Sequence, residues 1–134
     1  MNRKNIYGDD CPILHALNII GGKWRLPILW HLSNGNLRYN ELKRHMHGIT
    51  NIMLTRSLQD LEKYGLVRRI QHSEIPPHVE YLLTGHAKKL VPAMLSIQEW
   101  GKEQILLEKG DLPMCSARGA EKSHNTKEGD YHEQ

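Results

Sequence analysis

The 134-residue sequence lacks the features that mark secreted and membrane-spanning proteins. It contains only two cysteines, Cys11 and Cys115, which are too few to form a disulfide scaffold. No apolar run approaches the ~20 residues that a transmembrane helix needs, and the sequence shows no secretion leader. We therefore expect a cytoplasmic protein that makes no membrane contact.

Patterns typical of enzymes and metal sites are also missing. No Ser-His-Asp or Cys-His-Asn order with supporting motifs occurs, and the carboxylates are few. His45 and His47 would point to different sides of a helix, and no cysteine or acid at ligand spacing completes a metal site around them. We therefore predict a protein that is not an enzyme, with no catalytic residues, no metal and no cofactor.

Positive charge is concentrated in the middle of the chain. The net charge is +3, but residues 23–69 contain nine Lys or Arg against three Asp or Glu, whereas residues 110–134 contain three against five. A local positive field attracts polyanions such as nucleic acids, although scattered basic residues are also an ordinary solubilising surface. Charge alone leaves both interpretations open.

The sequence predicts one folded domain between two polar ends. A chain of this length can bury a sizeable core without disulfides or metals, so we expect residues 11–109 to form a single domain. Residues 1–10 are polar and are predicted to be a flexible N-terminus. From Gly110 onward the apolar periodicity is lost, so residues 110–134 are predicted to be a disordered tail.

The most informative stretch is residues 50–69, TNIMLTRSLQDLEKYGLVRR. Leu54, Leu58 and Leu61 recur at helical spacing and predict one buried stripe, on a helix that ends at Gly65. The opposite face carries a row of mostly polar side chains, namely Asn51, Ile52, Thr55, Arg56 and Gln59. An ordinary amphipathic surface helix also fits this pattern, so the neighbouring elements must decide.

The elements on either side of this helix predict a winged helix-turn-helix. Residues 39–47 are predicted to form a helix that is joined to the next one by a tight link. Three of its side chains should be buried, namely Tyr39, Leu42 and Met46. Residues 66–72 and 78–83 alternate as two strands of a hairpin. This order indicates an α+β winged helix-turn-helix fold with a two-stranded wing, whose second helix enters the major groove.

Such a helix would present its outer face to the bases. The side chains with donors and acceptors suited to base edges are Asn51, Thr55, Arg56 and Gln59. Arg56 is the best candidate for a bidentate contact with guanine. The basic and wing side chains expected to contact phosphates are Lys23, Arg38, Lys43, Arg44, Arg69 and His78.

Cys11 begins the first predicted helix. Pro12 suits the first helical position, which places Cys11 near the N-cap and close to the positive end of the helix dipole. That position favours the reactive thiolate, whereas the neighbouring acids Asp9 and Asp10 oppose it. A redox-sensing cysteine and a plain capping or packed cysteine therefore stay open as alternatives.

The last predicted helix runs from Thr84 to about Lys109, with a kink at Pro92. It is longer than a small three-helix core needs, so part of its apolar face should remain exposed and find a partner. We predict a homodimer, the commonest oligomer, with packing of this helix on the first helix of the same chain as the alternative. The predicted interface residues are Ile13, Leu14, Leu17, Met94, Ile97, Trp100 and Ile105.

A set of short motifs between residues 11 and 101 has a specific order and spacing. They are Cys11-Pro12, Gly22-Lys23-Trp24, Leu37-Arg38-Tyr39, Glu41-Leu42, Ile49, Leu54, Leu58, Leu61-Glu62, Gly65-Leu66-Val67, Pro76-Pro77, Val79-Glu80-Tyr81, Leu83-Thr84 and Trp100-Gly101. Together they resemble the HxlR-type winged helix-turn-helix regulators of bacteria, relatives of the MarR-like group. Tyr39 stands where phenylalanine is usual, and Gly85 precedes the usual glycine position by two residues.

The resemblance implies a homodimer that is built through the terminal helices and binds a palindromic operator, mainly as a repressor. It also implies that Cys11 senses a small electrophile or an oxidant, whereas Cys115 has no counterpart. We therefore predict a sequence-specific regulator of transcription that binds double-stranded DNA. The alternative is a winged-helix module that binds protein or RNA without an operator, because a fold does not fix a function.

Overall fold

The computed structural model describes residues 10–110, which form two compact units divided after Val91. The predicted loose N-terminus before residue 10, the predicted tail after residue 110 and Cys115 lie outside the described residues. The elements of the first unit are α1 (Pro12–Ile20), α2 (Arg25–Leu32), β1 (Leu37–Arg38), α3 (Tyr39–His45), α4 (Asn51–Lys63), β2 (Val67–His72), β3 (His78–Leu83) and α5 (Gly85–Lys88). The second unit holds the last helix, α6 (Val91–Glu108).

Helices α1 and α2 differ in how much of their surface is covered. Cys11 is the extended N-cap residue of α1 and Pro12 its first residue, as the sequence predicts. No residue of α1 is buried. Helix α2, in contrast, buries Ile28, Leu29 and Leu32 in the core. The core of the first unit therefore forms around α2 and leaves α1 at its surface.

Helices α3 and α4 form the predicted helix-turn-helix. Thr50 caps α4, because its hydroxyl accepts a hydrogen bond of 3.1 Å from the backbone N–H of Met53. Gly65 follows the helix at a φ of +76°, the left-handed conformation that ends helices and favours glycine. The three leucines of the predicted stripe, Leu54, Leu58 and Leu61, are buried. The stripe fixes which face of α4 is turned away from the core.

Two details predicted for α3 are wrong. The helix ends at His45, two residues early, because Met46 leaves helical geometry (φ −102°, ψ 81°) while its side chain stays buried. Tyr39 is half-buried rather than buried, because its hydroxyl reaches the surface of α4. Leu42 and Met46 are buried as predicted.

The wing is part of a three-stranded antiparallel sheet in the order β1-β3-β2. Strands β2 and β3 pair from Val67 opposite Leu83 to His72 opposite His78, close to the predicted strand bounds. The short strand β1 adds to the free side of β3, with Leu37 opposite Tyr81. The predicted hairpin is thus confirmed, and β1 extends its base into a sheet.

The predicted C-terminal helix is two helices instead of one. Thr84 caps only the four-residue α5, through a 3.1 Å hydrogen bond from the N–H of Ala87 to its hydroxyl. Pro92 lies in the first turn of α6 instead of inside a longer helix, a position that suits proline because first-turn N–H groups need no partner. The predicted kink is therefore a break between α5 and α6. None of the helices within residues 10–110 is long and apolar enough to cross a membrane.

Candidate DNA-binding surface

The outer face of α4 brings the predicted base-reading residues together. Asn51, Thr55, Arg56 and Gln59 are all exposed, and with Ile52 they line one shallow depression. The face points outward because the leucine stripe occupies the other side of the helix. The four side chains therefore form a single polar surface, free of the protein core.

Tyr39 of α3 is hydrogen-bonded to two of these residues. Its hydroxyl oxygen lies 3.2 Å from both the backbone oxygen and Oδ1 of Asn51, and 3.2 Å from Oγ1 of Thr55. A tyrosine hydroxyl has one hydrogen, so it can donate a hydrogen bond to one of the Asn51 oxygens while it accepts one from the Thr55 hydroxyl. Sequence reasoning placed Tyr39 in the core and missed this role. The sequence holds one signal, a tyrosine where its apparent relatives have phenylalanine.

Arg25 links α1 to α4 through three polar contacts. Its Nη2 lies 2.6 Å from Oδ2 of Asp60, and its Nη1 donates to the backbone oxygens of Asn18 (3.2 Å) and Ile19 (3.0 Å). The two carbonyl groups belong to the last turn of α1, where backbone oxygens lack helical partners. Sequence reasoning missed these contacts, because Asp60 lies 35 residues from Arg25 and the other two partners are backbone oxygens, which no residue type reveals. We call the three contacts the Arg25 clamp.

The predicted phosphate contacts lie in several places. Arg38, the N-cap residue of α3, and Arg44 on α3 are exposed and share a recess of about 740 Å³ with the half-buried His78 of the wing. Lys23 is exposed beside the Trp24 ring, 4.8 Å from its centroid, and shares a second recess with Arg56. The remaining two, Lys43 and Arg69, line neither recess. Basic side chains thus occur before α2, along α3 and in the wing.

Two pairs of histidines stack in the described part of the chain. His72 and His78 are opposite residues on the wing strands, with ring centroids 4.5 Å apart. His31 of α2 and His45 of α3 stack at 5.1 Å. Burial lowers the pKa of His31, and the charges of His45 and His47 lower it further. Within residues 10–110 no group of three or more His, Cys, Asp or Glu residues is arranged to hold a metal ion.

Cys11 and the predicted dimer residues are mostly accessible. Cys11 is an exposed free thiol whose side chain makes no capping hydrogen bond. Six of the seven predicted interface side chains are more than half exposed, namely Ile13, Leu14, Leu17, Ile97, Trp100 and Ile105. The seventh, Met94, is buried within the single chain and is not available to a partner in this conformation. Helices α1 and α6 each carry exposed apolar surface.

Comparison with known proteins is consistent with this geometry. Residues 19–109 match the model of the HxlR-like helix-turn-helix family. An HTH-type transcriptional regulator of Methanothermobacter thermautotrophicus is 45% identical over 98 residues, which cover 71% of this chain and 75% of that protein. The regulator YybR of Bacillus subtilis is 41% identical over 102 residues, covering 75% of this chain and 82% of YybR.

Solved structures with the same fold include a redox regulator and a transcriptional regulator treated with diamide. The oxidized form of the redox regulator HypR superimposes with a TM-score of 0.67 at 41% identity, covering 69% of this chain and 96% of HypR. The diamide-treated form of YodB from B. subtilis gives a TM-score of 0.60 at 28% identity, covering 71% of this chain and 95% of YodB. The winged helix-turn-helix predicted from the sequence is therefore confirmed.

Proposed function

Because this chain belongs to the HxlR-like helix-turn-helix family and is a transcriptional regulator, we propose that it binds a specific operator in double-stranded DNA as a homodimer and acts mainly as a repressor. The proposal rests on the outer face of α4, where Asn51, Thr55, Arg56 and Gln59 are exposed opposite the buried leucine stripe. A helix with one buried apolar face and one exposed polar face can enter the major groove without disturbing the core.

In this proposal each element has a distinct task. The outer face of α4 reads base edges, with Arg56 as the bidentate partner of a guanine. The basic side chains of α3 and of its N-cap, together with the lysine before α2, hold phosphates on the two sides of the groove. The β2–β3 ribbon follows the backbone toward the minor groove. The residues assigned to phosphates and the wing are Lys23, Arg38, Lys43, Arg44, Arg69 and His78.

A second copy of the chain would cover the exposed apolar surfaces. Helix α1 offers Ile13, Leu14 and Leu17, and helix α6 offers Ile97, Trp100 and Ile105, all more than half exposed. Exposed apolar surface of this extent is unusual for a monomer, and a two-fold dimer is the commonest solution. A two-fold dimer would require two half-sites of opposite orientation, one helical turn or more apart.

Selection of bound sequences from a random duplex library tests the proposal as a whole. We expect a palindromic consensus, with an affinity that falls steeply as salt rises because bound counterions are released from the DNA. A protein or RNA-binding module would select no consensus and would show no salt-dependent duplex binding. Either of these two results would contradict operator binding.

Two variants separate base reading from phosphate binding. Arg56→Ala should lose about 1–3 kcal/mol of binding free energy and relax the preference at one base pair of each half-site. Lys43→Ala, the matched control, should weaken binding to all sequences about equally and reduce the salt dependence. The assignment of Arg56 is wrong if Arg56→Ala binds the selected operator as tightly as the unmodified protein.

We also propose that Cys11 senses small electrophiles or oxidants. The support is its exposed thiol at the start of α1, the similarity to the redox regulator HypR and the similarity to the transcriptional regulator YodB, which has been solved after diamide treatment and in a reduced form. Addition of the thiolate to a quinone forms a carbon–sulfur bond and breaks a carbon–carbon π bond of the ring, and the electron pair moves to a quinone oxygen that takes up a proton. The attached group should change operator affinity by altering α1 and its dimer contacts. Binding before and after quinone treatment, with mass spectrometry of Cys11 and Cys11→Ser as control, tests this. Unchanged binding by the fully modified protein would disprove it.

A further inference from the structure

Ile52 is an apolar side chain that the fold itself does not require. It lies in the first turn of α4 and is 71% exposed. It is two residues before Leu54, which on an α-helix corresponds to a rotation of about 200° and places it almost opposite the buried stripe. A β-branched residue is also a weaker helix former than alanine or the unbranched residues. Neither core packing nor helix stability accounts for isoleucine here.

The surroundings of Ile52 are polar and suited to nucleic acid. It lines the same depression as Asn51, Thr55, Arg56 and Gln59, so an apolar group stands within a row of hydrogen-bonding side chains. A protein partner would need a wider apolar patch than Ile52 offers, because the adjacent exposed apolar side chain, Met53, lines a different recess. The depression therefore fits a ligand that offers donors and acceptors with one small apolar group between them.

In the major groove only one base offers such a group. Thymine carries a 5-methyl group at the groove edge, next to its acceptor oxygen, and the other three bases show none there. We propose that Ile52 contacts this methyl group and is a specificity-determining residue of the operator complex; the inference rests on the operator binding proposed above. Ile52 precedes Arg56 by one turn, about 6 Å along the helix, so the thymine lies within about two base pairs of the base read by Arg56.

Replacing single thymines by deoxyuridine tests this contact, because deoxyuridine lacks only the methyl group. In the selected operator, one thymine of each half-site should be sensitive to replacement by deoxyuridine. This replacement should weaken binding by about fourfold, which is the affinity expected from the burial of one methyl group. Ile52→Ala should bind the thymine and deoxyuridine duplexes about equally. Its circular dichroism and thermal midpoint should stay unchanged, because Ile52 is exposed.

Ile75→Ala is the matched control. Ile75 is 98% exposed but lies in the wing loop between β2 and β3, so its removal can change the total affinity and should leave the ratio of thymine to deoxyuridine binding unchanged. The inference is overturned if no thymine is sensitive in the unmodified protein, if the consensus lacks a thymine in each half-site, or if Ile52→Ala keeps the preference. Operator binding itself would survive all three results. A protein that selects no duplex sequence at all would instead overturn the proposed function.

Discussion

Replacing Arg25 by alanine is expected to loosen α1 from α4. No residue of α1 is buried, so the helix lacks the apolar anchoring that holds α2 and α4. The Arg25 clamp connects the last turn of α1 to Asp60, a residue of α4. Because Arg25 is the first residue of α2, removal of its side chain eliminates three polar contacts that connect α1 and α4 by way of α2.

The size of the effect follows from the exposure of the partners. The side chains of Arg25 and Asp60 are 24% and 35% exposed, so water screens the ion pair and its contribution should be about 0.5–1 kcal/mol. Each hydrogen bond to a carbonyl group of α1 should add about 0.5–1 kcal/mol. We expect Arg25→Ala to lower the free energy of unfolding by about 2 kcal/mol.

Urea unfolding of four proteins measures this loss of stability and separates the contribution of the ion pair from the rest. The set comprises the unmodified chain, Arg25→Ala, Asp60→Asn and the double variant, whose cycle isolates the ion pair. We expect a coupling energy of about 0.5–1 kcal/mol between the two sites. Arg25→Lys is the control, because it keeps the charge but has no planar fork to reach Asp60 and both carbonyl groups together.

Hydrogen exchange shows where the stability is lost. The backbone amides of α1 should exchange faster in Arg25→Ala, while those of the leucine-anchored α4 should change much less. Unchanged exchange in α1, together with an unchanged free energy of unfolding, would refute the clamp. Because Cys11 begins α1 and Arg25 holds its other end, Arg25→Ala should also weaken the effect of Cys11 alkylation on operator affinity.

Three further variants test other parts of the structure. Tyr39→Phe should release Asn51 and Thr55 and weaken discrimination against altered operators by about 0.5–1.5 kcal/mol in competition binding; unchanged discrimination would exclude a positioning role. Burial holds the pKa of His31 below 6.5, so the unfolded chain takes up the proton first and the free energy of unfolding should fall as the pH drops through 6.5. His31→Asn should flatten that part of the pH profile, and an unaltered profile would assign it to other groups. Leu58→Ala should cost about 2–5 kcal/mol in urea unfolding, and a loss below this range would mean that the stripe contributes little.

The sequence by itself determined the elements whose signals are local. Helix α4 could be predicted because its leucines recur at helical spacing and Gly65 ends it. The wing strands could be predicted from two alternating runs around a short loop. The outer face of α4 followed directly, since a buried stripe on a helix fixes what lies opposite it.

The break between α5 and α6 shows where such local signals become ambiguous. A proline can kink a long helix or stand in the first turn of a new one, and both arrangements fit the residues around Pro92. The end of α3 was similarly ambiguous, because Met46 is buried outside helical geometry just as it would be inside a helix. A side chain is buried wherever it packs against the core, whether its backbone is helical or not. The spacing of apolar residues therefore does not show where a helix ends.

Only the tertiary structure decided the contacts between distant residues. The Tyr39 hydroxyl meets Asn51 and Thr55 across 12 and 16 residues, and Arg25 meets Asp60 across 35. Such pairs depend on the angle and distance at which two helices pack, which are set by the whole core and leave no periodic trace in the sequence. The proposed DNA-binding surface could therefore be predicted from the sequence, whereas the side chains that contact this surface from other helices became visible only in the folded chain.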